Sequence, residues 1–486
     1  MLIIGVLLAI IGVGTIWVLK QHHRQVGKHR KDFQALHAAE AGVKFFQNRL
    51  NNIPLCHPWF TYLDSMAVLT MLKDTTVLLP TPYGEVRGFR IRNVKIIPNV
   101  LPVGIRFESV GGRMLPDGTL DTSNGRPIIC NLRMRTLADF VLFNETGNTR
   151  IGLSAVVKGK LFAGGDLLVS AGNVDFQQRV YVTGNLILNG TNNLFRRGYE
   201  KVTTAPFNLN HVHIAATEPR APCGGSLPKT YEDLAKGAVA NEGKGFFYSG
   251  TEKSLLLILD SIRLLGGNVR FQVYAFDETR PRHRGPLLAT SFLPDSLFNG
   301  VVYVDGDAYV EGTLSNHSLT IASPDDILVT GNIRCVGSKA GGDSRVTLAL
   351  LAQNKLAFWK GTPTRLFVEA VLLAEDDKLV NLGINYDGTV LQSWLALGSA
   401  ATHPGVDANG NPASSSVGMN WVLTLHGGII SRKGGGTEVF NWNLPGGTRN
   451  YEYDPDNEFS PPPKMGLLHT GGPGASLWEV SGWEEK

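Results

Sequence analysis

The spacing of apolar positions changes character three times along this chain, and each change predicts a different element. Residues 2–19, LIIGVLLAIIGVGTIWVL, contain no charge. As a helix this stretch reaches ~27 Å, close to the hydrocarbon thickness of a bilayer. Its apolar side chains are Leu2, Ile3, Ile4, Val6, Leu7, Leu8, Ile10, Ile11, Val13, Ile16, Val18 and Leu19, with Trp17 at headgroup level, and they define a candidate membrane anchor. No basic run precedes the stretch and KQHHRQ follows it where a small-residue cleavage site would stand, so the pattern predicts a retained anchor. From 29 to 50, HRKDFQALHAAEAGVKFFQNRL, the period becomes helical and amphipathic: Phe33, Leu36, Ala39, Val43, Phe46 and Leu50 recur every three or four positions. Pro54 and Pro58 end the run. The expectation is one helix, half in lipid and half carrying an apolar stripe that needs a cover.

Between 76 and 135 the period becomes two. In IICNLRMR (128–135) Cys130, Leu132 and Met134 share one face, and Asn131, Arg133 and Arg135 the other. GIRFESVGG (104–112) alternates in the same way. In GFRIRNVKII (88–97) the apolar phase switches midway, which predicts a bulge near Asn93. Such strands form an antiparallel sheet with one dry face, the natural cover for the helix, and one wet face.

Beyond 136 short glycine-rich phrases recur. GGDLLV (164–169) aligns with TGNLIL (183–188), and GDAYV (306–310) with DDILV (325–329), each at an offset of 19. LLAQNKL (350–356) and LLAEDDKL (372–379) follow at 22, and LHGGIIS (425–431) reads as one more copy. A period near 20 predicts a parallel β-helix, a solenoid whose coils stack aliphatic ladders. Its corners are assigned to Gly165 and Asp166, Gly184 and Asn185, Gly306 and Asp307, Asp326, and Gly331 and Asn332, on the expectation that glycine supplies left-handed angles there and Asn or Asp tolerates them. Residues 191–299 and 399–418 interrupt the pattern as insertions, although PKTYEDLAKGAVA (228–240) reads as a helix. The fold class is therefore mostly β: an anchor and long helix (1–53), a small antiparallel region (54–135), a β-helix (136–448), and a proline-rich tail (449–486) that caps the open end.

Charge alters this picture locally. The net charge is +4, yet Lys20, Arg24, Lys28, Arg30 and Lys31 all precede the first acid, Asp32. Without those five, 41 basic residues face 42 acidic ones, which leaves no surplus for a nucleic-acid backbone. Basic residues just after the anchor favour a cytoplasmic body by the positive-inside rule and equally suit anionic headgroups. The cysteines, at 56, 130, 223 and 335, have no C-x-x-C pair; two disulfides or four free thiols both fit.

Candidate chemistry is sparse. Cys56 and His57 are adjacent in sequence and point apart in an extended loop. DANGNP (407–412) has calcium-loop spacing, but Pro412 replaces the required glycine and Gly418 the bidentate glutamate. The acids of YDPDNEF (453–459) suit a solvated turn. No nucleophile elbow, HExxH, P-loop or dinucleotide fingerprint stands in its proper context. Corner carboxylates do not form the groove that a polysaccharide lyase needs. The expectation is a non-enzyme with no cofactor, no metal and no nucleic-acid partner.

An apolar anchor, a basic stretch and then FQALHAAEAGVKFF resemble the start of PilX-type pilus-assembly proteins, a minor-pilin-like family. TLADFVLFNETG (136–147), the coil phrases and the closing RNYEYDPDNEFSPPPK with LWEVSGWEE are similar to large members of that family, and the coils look bactofilin-like. The resemblance implies a structural part of a type IV pilus or related pseudopilus, anchored in a bacterial inner membrane with its body outside the cytoplasm, and partnered by other pilin-like subunits. It assigns Glu40, with Phe33, Leu36, Val43 and Phe46, to contact with a neighbouring subunit. The chain departs from it in lacking a prepilin leader and the early glutamate of major pilins. Two other readings stand beside it: a membrane-tethered β-helix that binds or cleaves surface glycan, and a polymerising bactofilin-like scaffold.

Overall fold

The computed structural model describes residues 2–51, 75–79, 87–97, 104–123, 125, 127–151, 155–170, 172–203, 205, 212–217, 227–336, 346–359, 365–375, 422–431, 448–452, 462–464 and 478–485; the side chains of 2–12, 14, 358, 365, 422, 423, 448–452, 478 and 479 lie outside that description. The chain is mostly β, with one long N-terminal helix.

That helix, α1, runs unbroken over Leu2–Asn51. Its second half lies on an antiparallel sheet whose strands are ordered Thr76–Leu79, Arg87–Ile97, Gly104–Met114, Pro127–Met134 and Trp478–Glu485, with Leu120–Asp121 beside the third. The bulge falls where the sequence places it: register shifts between Arg92 and Lys95, and Asn93 takes φ 55°. Phe89, Ile91, Ile105, Phe107, Cys130 and Leu132 form the dry face and meet Ala39, Val43, Phe46 and Leu50 of the helix. The last strand comes from the far end of the chain, so everything from 136 to 477 is inserted between two neighbouring strands of this sheet.

Arg133 and Arg135 depart from expectation. The alternation puts them on a wet face, yet both are buried. Asp139, itself buried, lies 3.3 Å from Arg135 Nε, 3.6 Å from Lys160 Nζ and 3.9 Å from Arg133 Nη2. The chain turns at Asp139 from the sheet into the strand Phe140–Asn144, and the Arg135 guanidinium lies over the Phe140 ring, 5.7 Å from its centroid. A buried carboxylate between cations is the compensation such burial requires.

The inserted region is built from parallel pairs in three columns. The first column contains ten strand segments in this spatial order: Lys244–Tyr248, Phe298–Val304, Leu319–Ser323, Leu348–Ala352, 371–374, 429–431, Phe140–Asn144, Lys160–Ala163, Val180–Val182 and Tyr199–Lys201. Across the three columns the sequence alignments recur as strand registers. Leu168 pairs Ile187, Tyr309 pairs Leu328, and Leu350 pairs Leu372. Residues alternate between an inner core of Leu142, Leu161, Val180, Val302, Ile321, Leu350 and Leu372 and an outer one of Phe143, Phe162, Tyr303, Ala322, Leu351 and Leu373. A column buried on both faces explains the near-continuous apolar runs such as LALLA.

Spatial order differs from sequence order. The first run starts mid-stack at Phe140 and proceeds outward to Lys201. The second starts at the far end, at Lys244, and returns until Ile429 pairs Leu142. One level of the stack is composite. Thr448–Glu452 pairs Val422–Ser431 on one side and Val156–Val157 on the other, so the tail supplies one side of the level that Phe140–Asn144 begins. The tail therefore adds strands within the stack and the sheet; it was expected to cap the open end. Pairing also reaches into 191–299 at Leu194–Phe195, Tyr199–Lys201, Lys244–Tyr248 and Ser254–Ile258, all assigned to an insertion by spacing.

Within that segment a short helix, α2 (Tyr231–Lys236), covers the outer face of the column near Phe247 and Tyr303. Thr230 and Asp233 form a reciprocal capping box, and Gly237 closes the helix at φ 74°. A hairpin of Asn268–Phe276 and Arg284–Pro294 lies over the end that begins with Lys244; its Val269, Phe271 and Val273 are buried in the inner core, and Phe271 stacks on Phe246 at 5.0 Å.

Candidate functional site

Two places carry the residues singled out by sequence: the face of α1 and the corners of the stack.

On α1, Val13, Ile16, Trp17, Val18 and Leu19 are exposed. Leu2, Ile3, Ile4, Val6, Leu7, Leu8, Ile10 and Ile11 lie on the helix, but their side chains fall outside the described set. Among the described residues no helix is long and apolar enough to cross a membrane. Of the residues assigned to a neighbouring subunit, Phe33 is exposed, with its ring edge-on to His37 at 4.3 Å. Glu40 is half-exposed, and its Oε2 lies 2.9 Å from His37 Nδ1. Val43 and Phe46 are not available: both are buried, and Phe46 stacks on Phe107 at 4.1 Å. Leu36 packs at the edge of the same core. The chain's own sheet covers the stripe, so the assignment of Val43 and Phe46 to intersubunit contact is corrected.

The A-A-E-A-G stretch has a packing explanation that sequence reasoning missed. Ala35, Ala38 and Ala39 are buried, and Ser109 Oγ donates to the Ala39 carbonyl at 2.7 Å. A Cβ on Gly111 would strike the Ala35 carbonyl oxygen, and one on Gly42 would strike Ser109 Oγ and the Phe89 ring. Small residues on both partners let the helix and sheet backbones approach closely. The paired glycines, 42 on the helix and 111 on a strand predicted to cover it, were the available signal.

At the corners, Asx side chains link successive levels. Asp166 N–H donates to Asn148 Oδ1 at 2.7 Å, and Asn185 N–H to Asp166 Oδ1 at 2.7 Å. In the second run Asp326 N–H donates to Asp307 Oδ1 at 3.2 Å, and Asn354 Nδ2 to Asp326 Oδ1 at 2.7 Å. Asn148, Asp166 and Asp307 each accept a backbone donor that the corner would otherwise leave unpaired, and Asp326 accepts from a side-chain amide. Burial, with Asp326 and Asp325 nearby, raises the Asp307 carboxyl above its usual range.

The glycines differ from expectation. Gly306 has φ 149° and Gly165, Gly184 and Gly331 have no positive φ. Gly165 and Gly184 are needed for space: a Cβ would strike Asn148 Oδ1 and Asp166 Oδ1 respectively. Gly331 and Asn332 sit at a different corner, inside the strand Ile327–Val336, where Asn332 Oδ1 accepts from Phe367 N–H at 2.9 Å. The shared V-T-G-N phrase at 182–185 and 329–332 thus serves two corners.

Among the described residues no three His, Cys, Asp or Glu side chains converge to hold a metal ion. Cys130 and Cys335 are buried thiols outside any disulfide among the described residues, and burial pushes the Cys130 thiol up to about 12. Cys56, His57, 399–418 and 453–459 lie outside the described residues.

No family model matches the sequence, and no curated protein matches it. Among solved structures, the crystal structure of the competence-associated pilin ComZ from Thermus thermophilus aligns over 94% of this chain and 98% of that chain, at 11% identity and a TM-score of 0.29. A superposition that loose has no bearing on fold or role.

Proposed function

We propose that this chain is a structural subunit of a pilus-like or pseudopilus assembly in a bacterial inner membrane, with α1 as tether and packing helix and the inserted stack as a rigid head outside the cytoplasm. The reading treats the stack as a parallel β-helix: three columns of parallel strands, steps of 19 between Leu142, Leu161, Val180 and Tyr199, and one apolar core running through them. It gives the chain a mechanical role with no catalytic step.

One observation carries it. A single 50-residue helix has its second half buried on its own sheet while Val13, Ile16, Trp17, Val18 and Leu19 of its first half stand uncovered. The helix axis extends ~75 Å, those exposed apolar residues stand well before the part that lies on the sheet, and the sequence over 2–19 is the most apolar of the helix. That geometry suits insertion into lipid and packing among like helices. The resemblance of 33–46 to minor-pilin-like proteins points the same way, and Phe33 and Glu40 remain outward for contact with a neighbour.

Membrane fractionation tests it. The full chain should require detergent for extraction, and removal of 1–19 should release a soluble, β-rich body. Extraction of the full chain by high salt or alkali alone would refute the tether. With a photo-cross-linker at residue 17, adducts to other pilin-like subunits are expected; their absence in an assembling strain would refute the filament role.

A further inference from the structure

The two ends of the stack differ. At the end that begins with Lys244, the inward residues Phe246, Leu255 and Leu257 are 3%, 0% and 3% exposed, because the hairpin 268–294 plugs the core there. At the other end, Leu186–Leu188, Leu194–Phe195 and Tyr199–Lys201 each pair on one side only among the described residues. Leu188 is in register with Val169 and Ile151, and Tyr199 with Val180 and Leu161. Those four partners are 0–2% exposed, whereas Leu188 is 48% and Tyr199 56% exposed. These are core positions, and among the described residues no further level pairs on their outer side. Ile187 and Leu194 widen the apolar rim.

We infer that this open end docks on the same end of a second copy of the chain, forming a twofold head-to-head dimer; the inference rests on reading the stack as one β-helix. Three observations select that occupant. The opposite end is plugged by its own hairpin, so head-to-tail stacking into a filament is blocked and only a like-to-like contact closes. The composite level shows that this ladder accepts a level delivered without chain continuity, since Ile429–Ser431 and Asn450–Tyr451 dock on Leu142–Asn144 and Val156–Val157 by backbone pairing in register. The open strands also lack the usual protection of an edge. Proline is absent from 186–201, and two of its charges are neutralised across levels, Arg196 by Asp175 at 2.7 Å and Glu200 by Arg179 at 3.3 Å. A twofold axis makes the facing strands antiparallel, with Leu188 and Tyr199 covered by their counterparts.

The test uses the full chain in detergent micelles, with one nitroxide per chain at Asn192, an exposed residue of the open end. Pulsed dipolar spectroscopy should give an inter-copy distance below ~30 Å, since the facing edges lie one strand spacing apart. Association through α1 alone would leave the 192 labels without a defined short distance. In Leu188→Lys with Tyr199→Lys the signal should vanish while the thermal midpoint stays within a few degrees. Absence of the short distance in the unsubstituted chain, or its survival in the double variant, overturns the proposal. So does hydrogen exchange showing 186–201 equally protected at concentrations where the chain is monomeric, which would mean that its own chain covers the end. A distance between Thr203 and Thr251 within one copy checks the stack separately, so failure of the dimer and failure of the β-helix reading give different results.

Discussion

The helix-covered sheet and the inserted stack hide apolar surface in opposite ways. The sheet buries one face once, against α1, through Phe46 on Phe107 and the close approach at Gly42 and Gly111. The stack hides its surface by repetition, each level covering the one before with the same residues in the same register. In the sheet one lost side chain leaves a whole interface loose. In the stack the damage should stay within neighbouring levels. Yet both are completed by the C-terminal part of the chain: Trp478–Glu485 closes the sheet, and Val422–Ser431 with Thr448–Glu452 closes the stack onto its first run. Local repetition and long-range closure coexist, so folding waits on contacts of large sequence separation.

The largest effect should come from Phe46→Ala. Losing a buried ring stacked on Phe107 should cost about 3–5 kcal/mol, with hydrogen exchange rising across 35–50 and 104–114 while 300–352 keeps its protection. Equal loosening of both regions would abolish the distinction between them. Leu350→Ala should cost about 2–4 kcal/mol, and the lost protection should centre on the levels of Ile321 and Leu372, with the sheet unchanged. Gly184→Ala should cost about 1–3 kcal/mol in denaturant unfolding, since its Cβ runs into the Asp166 carboxylate and the Gly165 backbone. Gly27, with open space around a Cβ, should gain up to ~1 kcal/mol on the same change.

Asp307→Asn should have the smallest effect, and its sign depends on pH. Burial raises the folded-state pKa of Asp307 above its unfolded value. The protonated form is thus favoured by folding, and its contribution is full below the unfolded pKa of ~3.9 and lost as pH rises through the folded value. Asparagine retains an acceptor for Asp326 N–H without the buried charge. Thermal melts should therefore show the variant more stable at pH 7 and equal to the unsubstituted chain near pH 3; a variant less stable at pH 7 would mean that the charge itself holds the corner.

Much of this architecture was legible in local periodicity. The phase switch in GFRIRNVKII gave the bulge at Asn93, and the aligned phrases gave the Leu168–Ile187, Tyr309–Leu328 and Leu350–Leu372 registers. Each depends on neighbours in sequence or on a repeat. What was not legible depends on where distant segments return. Nothing around 429 or 450 announces that they complete a level with 140–157, and nothing in LWEVSGWEE announces pairing with 128–134. Alternation assigned Arg133 and Arg135 to solvent because it cannot see the chain turning at Asp139 to bring a buried carboxylate against them. The same blindness assigned Val43 and Phe46 to a neighbouring subunit, although the stripe already had a cover within the chain.

The central claim is that 140–201 and 244–452 form one continuous stack. Thr203 and Thr251 follow the last and first of its ten first-column segments, at the same corner. Nitroxides placed there in one copy, diluted with unlabelled protein, should give a narrow distance near ~43 Å, nine strand spacings. A broad distribution, or a separation under ~30 Å, would mean that the two runs are separate units and would contradict the account.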